Sequence, residues 1–111
     1  MDVTPYPSEW LRGVLELCVL RVLADGATYG YAIAAELAQA GLGEIKGGTL
    51  YPLLGRLEKN ALVTAEWRAG EGGPGRKYFA LTAAGRAELD SGSVQWRAFT
   101  GTVATFLTPG G

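Results

Sequence analysis

The side chains of this sequence best suited to chemistry are hydrogen-bonding and cationic groups, and their chemistry is binding rather than catalysis. Histidine is absent and Cys18 is the only cysteine. Zinc sites, disulfide frameworks and histidine-based catalysis are therefore excluded. No nucleophile–base pair or paired-carboxylate site stands out, so we expect no enzyme activity, no metal and no cofactor. Cys18, between Leu17 and Val19, is interpreted as a small core residue.

The stretch 47–63 has the most informative spacing. Leu50, Leu53 and Leu57 recur at three- and four-residue steps, which places them on one stripe of a helix. The opposite face is cationic and slim, with Gly55 in it, although a glycine inside a helix costs about 1 kcal/mol relative to alanine. A helix with an apolar back and a slim cationic front fits the major groove of DNA. The alternative is an ordinary amphipathic helix with a solvated basic face.

Charge is distributed unevenly along the chain. The formal net charge is −1. The segment 46–77 holds six cations and three anions, a balance of +3, so the remainder carries −4. A basic segment on an acidic body suits a protein that presents one face to phosphates.

Length and composition predict one folded domain in the cytoplasm. The 111 residues are 48% apolar, which suffices for a single modest core. No apolar run approaches the roughly 18 residues that span a bilayer, so we expect no membrane partner. The first residues lack the basic start of a secretory signal.

Periodicity predicts a helix pair. A first helix should run from Ser8, as its N-cap, to about Ala24. It is apolar around most of its circumference, so both sides must be buried, one of them by a partner subunit. A second helix should begin with Thr28 as its cap and end within 41–43, Gly-Leu-Gly. The short turn to the next helix then forms a helix-turn-helix.

Two residues bear on the bounds of the third helix. Proline is tolerated in a first turn, so Pro52 predicts Thr49 as the N-cap, whereas a start near Lys46 would forfeit one hydrogen bond. Asn60 is expected to be the left-handed residue at the other end.

After Asn60 the period becomes that of a β-hairpin. Residues 62–68 alternate, 69–75 are dominated by turn formers, and 76–81 form a returning strand. Trp67 is expected in the core at the hairpin root. Arg76 and Lys77 are adjacent cations, and we expect them to lie on either side of the edge of a DNA groove.

A last helix is predicted over 83–107, with Thr82 as its cap. One seam of it follows steps of four and three, which is typical of a coiled coil, and comprises Gly85, Leu89, Gly92, Trp96, Phe99, Val103 and Phe106. At 1.5 Å per residue this helix is roughly 38 Å long, so it should extend beyond a domain of this size. We therefore predict packing on a second copy, with packing on its own domain as the alternative. The tail from Thr108 should be frayed.

A helix pair followed by a basic-tipped hairpin is a winged helix, and the residues also resemble a family. The motifs are Gly30-Tyr31, Gly48-Thr-Leu-Tyr-Pro52, Arg56-Leu-Glu58, Gly72-Gly-Pro, Arg76-Lys-Tyr78 and Leu81-Thr-x-x-Gly-Arg86. In this order they resemble the PadR family of bacterial transcriptional regulators, in its shorter subfamily with a single C-terminal helix. The chain departs from the family pattern at Lys46-Gly47, Gly55 and Ala61, where a Ser-Pro, a bulkier polar residue and a helix-ending glycine are frequent.

The resemblance implies an α+β, mostly helical fold. A winged helix-turn-helix with the N-terminal helix would occupy 1–81, and a long C-terminal dimerisation helix with its tail would occupy 82–111. The implied function is a dimeric repressor that binds double-stranded DNA and is relieved by a small aromatic or multidrug-type effector. The alternative is a winged-helix protein–protein interaction module that does not bind DNA.

These interpretations assign three groups of residues. The predicted DNA contacts are Tyr29, Lys46, Gly48, Thr49, Tyr51, Arg56, Lys59, Arg76 and Lys77. The predicted dimer interface is Leu11, Val14, Leu15, Cys18, Leu89, Gly92, Trp96, Phe99, Val103 and Phe106. The predicted effector site is Trp10, Trp96 and Phe99, with Trp96 either a stacking plate or a plain interface anchor. Arg56 has a second interpretation, as the partner of a carboxylate such as Glu58, which is itself interpreted as structural.

Overall fold

Helices and one small sheet make up the described part of the chain. The computed structural model describes residues 5–70 and 73–110. Its elements in chain order are α1 (Ser8–Ala24), β1 (Thr28–Tyr29), α2 (Gly30–Leu37) with a π-helical extension (Ala38–Leu42), α3 (Gly47–Lys59), β2 (Val63–Gly70), β3 (Gly73–Leu81) and α4 (Ala83–Leu107). The prediction of a mostly helical α+β fold is confirmed. Among the helices so described, none is long and apolar enough to cross a membrane.

The starts of α1 and α2 differ from the prediction. Ser8 is the first helical residue rather than the cap, because the N–H groups of Trp10 and Leu11 already donate to the carbonyl of Pro7. Thr28 does not cap α2 either. It lies in β1, which pairs with β3, and so short a strand leaves no alternation in the sequence.

The start of α3 corrects a second expectation. Lys46, not Thr49, is the N-cap, because the N–H groups of Thr49 and Leu50 donate to its carbonyl at 3.0 and 2.9 Å. Pro52 therefore lies inside the helix, where the carbonyl of Gly48 loses its usual donor. The lost hydrogen bond is the cost that was foreseen for the earlier start.

The end of α3 is formed by Ala61 and not by Asn60. Ala61 has φ 61°, whereas Asn60 remains at φ −87°. The N–H of Leu62 donates to the carbonyl of Leu57 at 2.9 Å, and that of Ala61 donates to Glu58 at 3.0 Å. These two bonds are the Schellman pattern, which requires a left-handed residue at this position. The prediction of Asn60 was wrong because hydrogen bonding, not propensity, selects the residue.

The three-stranded antiparallel sheet has the order β1-β3-β2. Val63 pairs with Leu81 and Arg68 pairs with Arg76, and the register shifts before Gly70 meets Gly73. Part of the predicted 69–75 loop is therefore strand. A Cβ on Gly75 would lie 2.8 Å from the carbonyl oxygen of Arg68, so glycine permits this close approach. Glu71 and Gly72 of that loop lie outside the described residues.

The core lies between α1, α2, α3, the sheet and the first half of α4. It contains, with others, Leu15, Val19, Leu20, Ile33, Leu50, Leu54, Leu57, Val63, Phe79 and Leu89. Burial of the leucine stripe of α3 confirms the predicted apolar back of that helix.

The helix α4 matches its predicted bounds, and Thr82 is its cap. The N–H of Gly85 donates to the Thr82 hydroxyl at 2.9 Å, and that hydroxyl donates to the carbonyl of Ala61 at 2.8 Å. The same threonine therefore joins the end of α3 to the start of α4.

The predicted α4 seam divides into two halves. A Cβ on Gly85 would collide with the carbonyl oxygen of Leu62, and one on Gly92 would lie 2.5 Å from Cδ2 of Leu17. Leu89 is buried in the same core. This half packs on its own chain, which was the alternative to a partner. Farther along, Phe99 and Phe106 are 58% and 87% exposed.

The tail after α4 begins in an ordered turn. The hydroxyl of Thr108 donates to the carbonyl of Ala104 at 2.8 Å. Gly111, the last residue of the predicted frayed tail, lies outside the described residues.

Candidate nucleic-acid interface

The outer face of α3 is exposed along its length. Gly48, Thr49, Gly55 and Lys59 are all exposed, while the leucines behind them are buried. With no side chain on two of these positions, the backbone of α3 can approach another surface closely. The structure thus places the predicted slim face on the outside.

Tyr51 joins α3 to the first residue of α2. A Cβ on Gly30 would lie 2.5 Å from Oη of Tyr51, so the phenol ring occupies the space that the glycine leaves. Tyr51 is nevertheless 55% exposed. It therefore lies at the rim of the helix pair, where the ring is held in place and one side remains open to solvent.

Two of the cations near α3 are paired with carboxylates. Nε of Arg56 lies 3.5 Å from Oε2 of Glu16 on α1, and Nζ of Lys77 lies 3.4 Å from Oε1 of Glu58. Arg56 does pair with a carboxylate, but its partner is Glu16 and not Glu58. Exposed ion pairs of this kind contribute about 0–1 kcal/mol, so a phosphate can compete for these cations.

Arg76 and Lys77 point to opposite faces of the hairpin, because successive strand residues alternate. Lys77 faces α3 through Glu58, whereas the guanidinium carbon of Arg76 lies 4.4 Å from the ring centroid of Tyr29. The expectation that these neighbours form one pair at a groove edge does not match this geometry.

Trp67 corrects a related expectation. It is the register partner of Lys77 and is 72% exposed. On this face of the hairpin the core ends at the preceding pair of register partners, in which Ala65 lies opposite the buried Phe79. Trp67 is therefore an exposed residue of the hairpin and not part of its root.

The outer face of the hairpin carries Glu66, Arg68 and Tyr78, which were not assigned to the site from the sequence. Arg68 lies 4.3 Å from the ring centroid of Tyr78 and 3.0 Å from Oε1 of Glu66. The rings of Tyr78 and Tyr29 are 5.4 Å apart. Alternation along β2 does not show on which face of the sheet Arg68 lies. The register with β3 places Arg68 beside Arg76.

A groove of about 470 Å³ lies between α1, the end of α2 and α4. Its lining includes Leu17, Cys18, Leu89 and Trp96. Burial raises the pKa of the Cys18 thiol, which fits an apolar packing role better than a nucleophilic one. The rings of Trp96 and Phe99 are 5.7 Å apart.

The predicted interface and effector residues separate by burial. Leu11, Leu15, Leu89 and Gly92 are buried in their own chain, which leaves Val14 and Cys18 half-buried beside the groove. Phe99, Val103 and Phe106 are exposed. Trp10 is 67% exposed and is not among the residues that line the groove, so the structure brings together only Trp96 and Phe99 of the predicted effector trio.

An exposed helix at the end of a helix-turn-helix, flanked by a two-stranded hairpin, defines the winged helix class of DNA-binding folds. We call the hairpin of β2 and β3 the wing. Residues 19–91 match the Transcriptional regulator PadR-like family. The chain therefore belongs to this family, as its motifs predict.

Two relatives match this chain over most of its length. A PadR family transcriptional regulator from Eggerthella lenta is 38% identical and superposes with a TM-score of 0.82, covering 91% of this chain and 88% of that chain. The transcriptional regulator Rv3488 of Mycobacterium tuberculosis is 40% identical over 81 residues, which is 73% of this chain and 74% of that protein. Both comparisons extend over most of the two proteins compared.

One structural relative contains DNA. Bacillus subtilis PadR in complex with operator DNA superposes with a TM-score of 0.65 at 25% identity. The match covers 70% of this chain and 44% of that longer chain.

Proposed function

We propose that this regulator is a homodimeric repressor that binds operator DNA through the exposed face of α3 and through the wing. The observation that carries the proposal is the slim outer face of α3, whose buried leucines fix it to the core. The operator complex of Bacillus subtilis PadR supports the same ligand class. The proposed DNA contacts are Tyr29, Lys46, Gly48, Thr49, Tyr51, Arg56, Lys59, Arg76 and Lys77.

Dimerisation is proposed from the free half of α4. Phe99, Val103 and Phe106 leave an apolar strip exposed beyond the body that the helices α1 to α3 and the sheet form with the start of α4. Such a strip is costly to leave in water and marks an interaction surface. A second copy that covers it would set the separation of two α3 helices, and paired operator half-sites require a fixed separation.

Effector relief is proposed for the groove beside Trp96. A planar aromatic molecule that enters the groove beside Trp96 would contact apolar side chains from α1 and α4. Leu17 occupies the space beside Gly92, so the site would lie toward Phe99 and not at the glycine. Such a ligand shifts the separation of the α3 helices only by its difference in affinity between two dimer states.

The test is the salt dependence of binding to duplexes selected from the source genome. Fluorescence anisotropy should show an affinity that falls linearly with the logarithm of salt, because phosphate contacts release counter-ions. Thr49→Ala should weaken the selected duplex more than a scrambled one if α3 contacts base edges. Absence of duplex binding at low salt would reject the proposal and favour a protein-binding role.

A further inference from the structure

The outer face of the wing holds two arginines side by side. Arg68 and Arg76 are direct register partners on β2 and β3, and both are exposed. Like charges directly opposite each other on one face of a sheet destabilise it. An arrangement that holds two such charges together therefore needs compensating contacts.

Two tyrosines supply those contacts. The guanidinium of Arg68 lies over the ring of Tyr78 at 4.3 Å, and that of Arg76 lies over Tyr29 at 4.4 Å. Tyr29 and Tyr78 are themselves register partners with rings 5.4 Å apart. The two half-buried rings thus form a continuous floor that restricts the two guanidinium groups to one side of the wing.

The space beside these arginines is polar and has few side chains. A cavity of about 580 Å³ is lined by Arg68, Arg76 and Tyr78 together with glycines and Pro74 of the wing. Glu66 accepts from Nε and Nη2 of Arg68 through Oε1, both at 3.0 Å, which leaves the other amino group of Arg68 and the whole guanidinium of Arg76 for a ligand. The guanidinium pair therefore has both positive charge and room for a tetrahedral group.

We propose that Arg68 and Arg76 together bind one phosphate group, with Tyr78 and Tyr29 as the platforms that orient them. Guanidinium groups bind phosphate oxygens in bidentate geometry and lose little entropy when they are already stacked on a ring. Because a guanidinium covers one face of each tyrosine ring, a nucleobase cannot stack on that face. The site rests on the proposed function where the phosphate belongs to the DNA backbone, and Lys77, on the opposite face, is not part of it.

The test uses anisotropy titrations of a selected duplex with Arg68→Ala, Arg76→Ala and the double variant. Each single substitution should weaken binding about tenfold, as expected for the loss of a hydrogen bond to a charged group. The double variant should lose less than the product of the two, because residues that hold one phosphate are coupled. Lys77→Ala should combine with Arg68→Ala multiplicatively, and Arg12→Ala, an exposed cation on α1, should bind as wild type does.

Tyr78 gives a readout that separates orientation from folding. Tyr78→Phe keeps the ring and should bind as wild type does, whereas Tyr78→Leu should weaken binding to the level of Arg68→Ala at an unchanged circular dichroism spectrum. Equal affinities for Tyr78→Leu and Tyr78→Phe would overturn the platform role.

A second arm distinguishes DNA phosphate from a free phosphate compound. Inorganic phosphate is titrated without DNA while the arginine Nε–H signals are followed by NMR in wild type and Arg68→Ala. Normal DNA binding by Arg68→Ala, together with phosphate-dependent shifts that this variant loses, would assign the site to a free phosphate compound. No effect in either arm would overturn the site while leaving the proposed function intact. Absence of duplex binding by wild type would reject that function, and the phosphate titration would then decide the site alone.

Discussion

Ala61 holds a backbone conformation that only glycine adopts without strain. Its φ of 61° closes the Schellman pattern at the end of α3, and a left-handed conformation costs an ordinary L-residue about 1–2 kcal/mol. The strain lies next to the hydroxyl of Thr82, which donates to the Ala61 carbonyl. A glycine at this position would relieve the strain and stabilise the fold.

Ala61→Gly should therefore raise the free energy of unfolding by about 0.5–1 kcal/mol, part of the relieved strain being offset by the greater entropy of unfolded glycine. Urea denaturation followed by circular dichroism measures the change. Asn60→Gly, at φ −87°, is the matched control and should give no gain. A gain at Asn60 equal to that at Ala61 would contradict the argument.

Glu58 is the acidic residue of α3 that faces the wing. Its carboxylate lies 3.4 Å from Nζ of Lys77. Because a carboxylate near the DNA backbone repels phosphates, Glu58→Gln should tighten binding to unrelated duplexes and steepen the salt dependence by up to about one counter-ion. Glu36→Gln, an exposed acid on α2, is the control for net charge alone. Identical salt slopes in all three proteins would remove Lys77 from phosphate binding.

At the scale of the elements, the sequence predicts long periodic segments better than their beginnings. The C-terminal end of α1 and both ends of α4 match, because their apolar pattern runs to a definite stop and Thr82 caps α4 with its own side chain. The starts of α2 and α3 do not match, because the caps Tyr29 and Lys46 make no side-chain hydrogen bond. Propensity rules favour residues that can make one.

The residues of the candidate site could be predicted from the sequence only where a single helix or strand determines which way they face. The outer face of α3 follows from helical spacing, so its exposed residues were identified. Arg68, Trp67 and the opposite directions of Arg76 and Lys77 depend on the register between β2 and β3, which alternation within one strand does not specify. Likewise, Gly85 and Gly92 were assigned to a partner because spacing cannot tell which body covers a helix face.

The glycines of α4 give a test of how this helix is seated. Gly85→Ala should destabilise the fold by about 1–3 kcal/mol, because its Cβ would collide with the backbone carbonyl of Leu62. Gly101→Ala has open space around it and should instead stabilise the protein by up to about 1 kcal/mol through helix propensity. Thermal unfolding of both variants at equal protein concentration measures the contrast. Stabilisation by both would mean that the first turn of α4 sits farther from the wing.

At the scale of the whole molecule, the exposed strip on α4 makes the proposed assembly testable. Phe99 and Val103 are 58% and 38% exposed in the single chain, so an aspartate there leaves the core undisturbed. In a dimer the same charge would be buried without a partner, which is costly. Phe99→Asp and Val103→Asp should therefore sediment as folded monomers and bind an operator more weakly than wild type.

Thr105→Asp is the control for this experiment. Thr105 is exposed and, at about 100° per residue, points away from the strip of Phe99 and Val103. It should leave sedimentation unchanged. A dimer that persists in Phe99→Asp and Val103→Asp would mean that this strip is not the contact between copies.

The bond from Thr82 to Ala61 also has a mechanical consequence. Beyond its first turns α4 is a rod with exposed sides, and at 1.5 Å per residue a rotation of about 5° at its root moves its far end by roughly 3 Å. At the start of α4 the hydroxyl of Thr82 accepts from the N–H of Gly85, and it donates to the carbonyl of Ala61 at the end of α3. A movement of α4 would therefore act on α3 at its C-terminal end, while Tyr51, packed against Gly30, holds the other end. A tilt of α4 would thus apply a torque to one end of α3 and would not displace the whole helix.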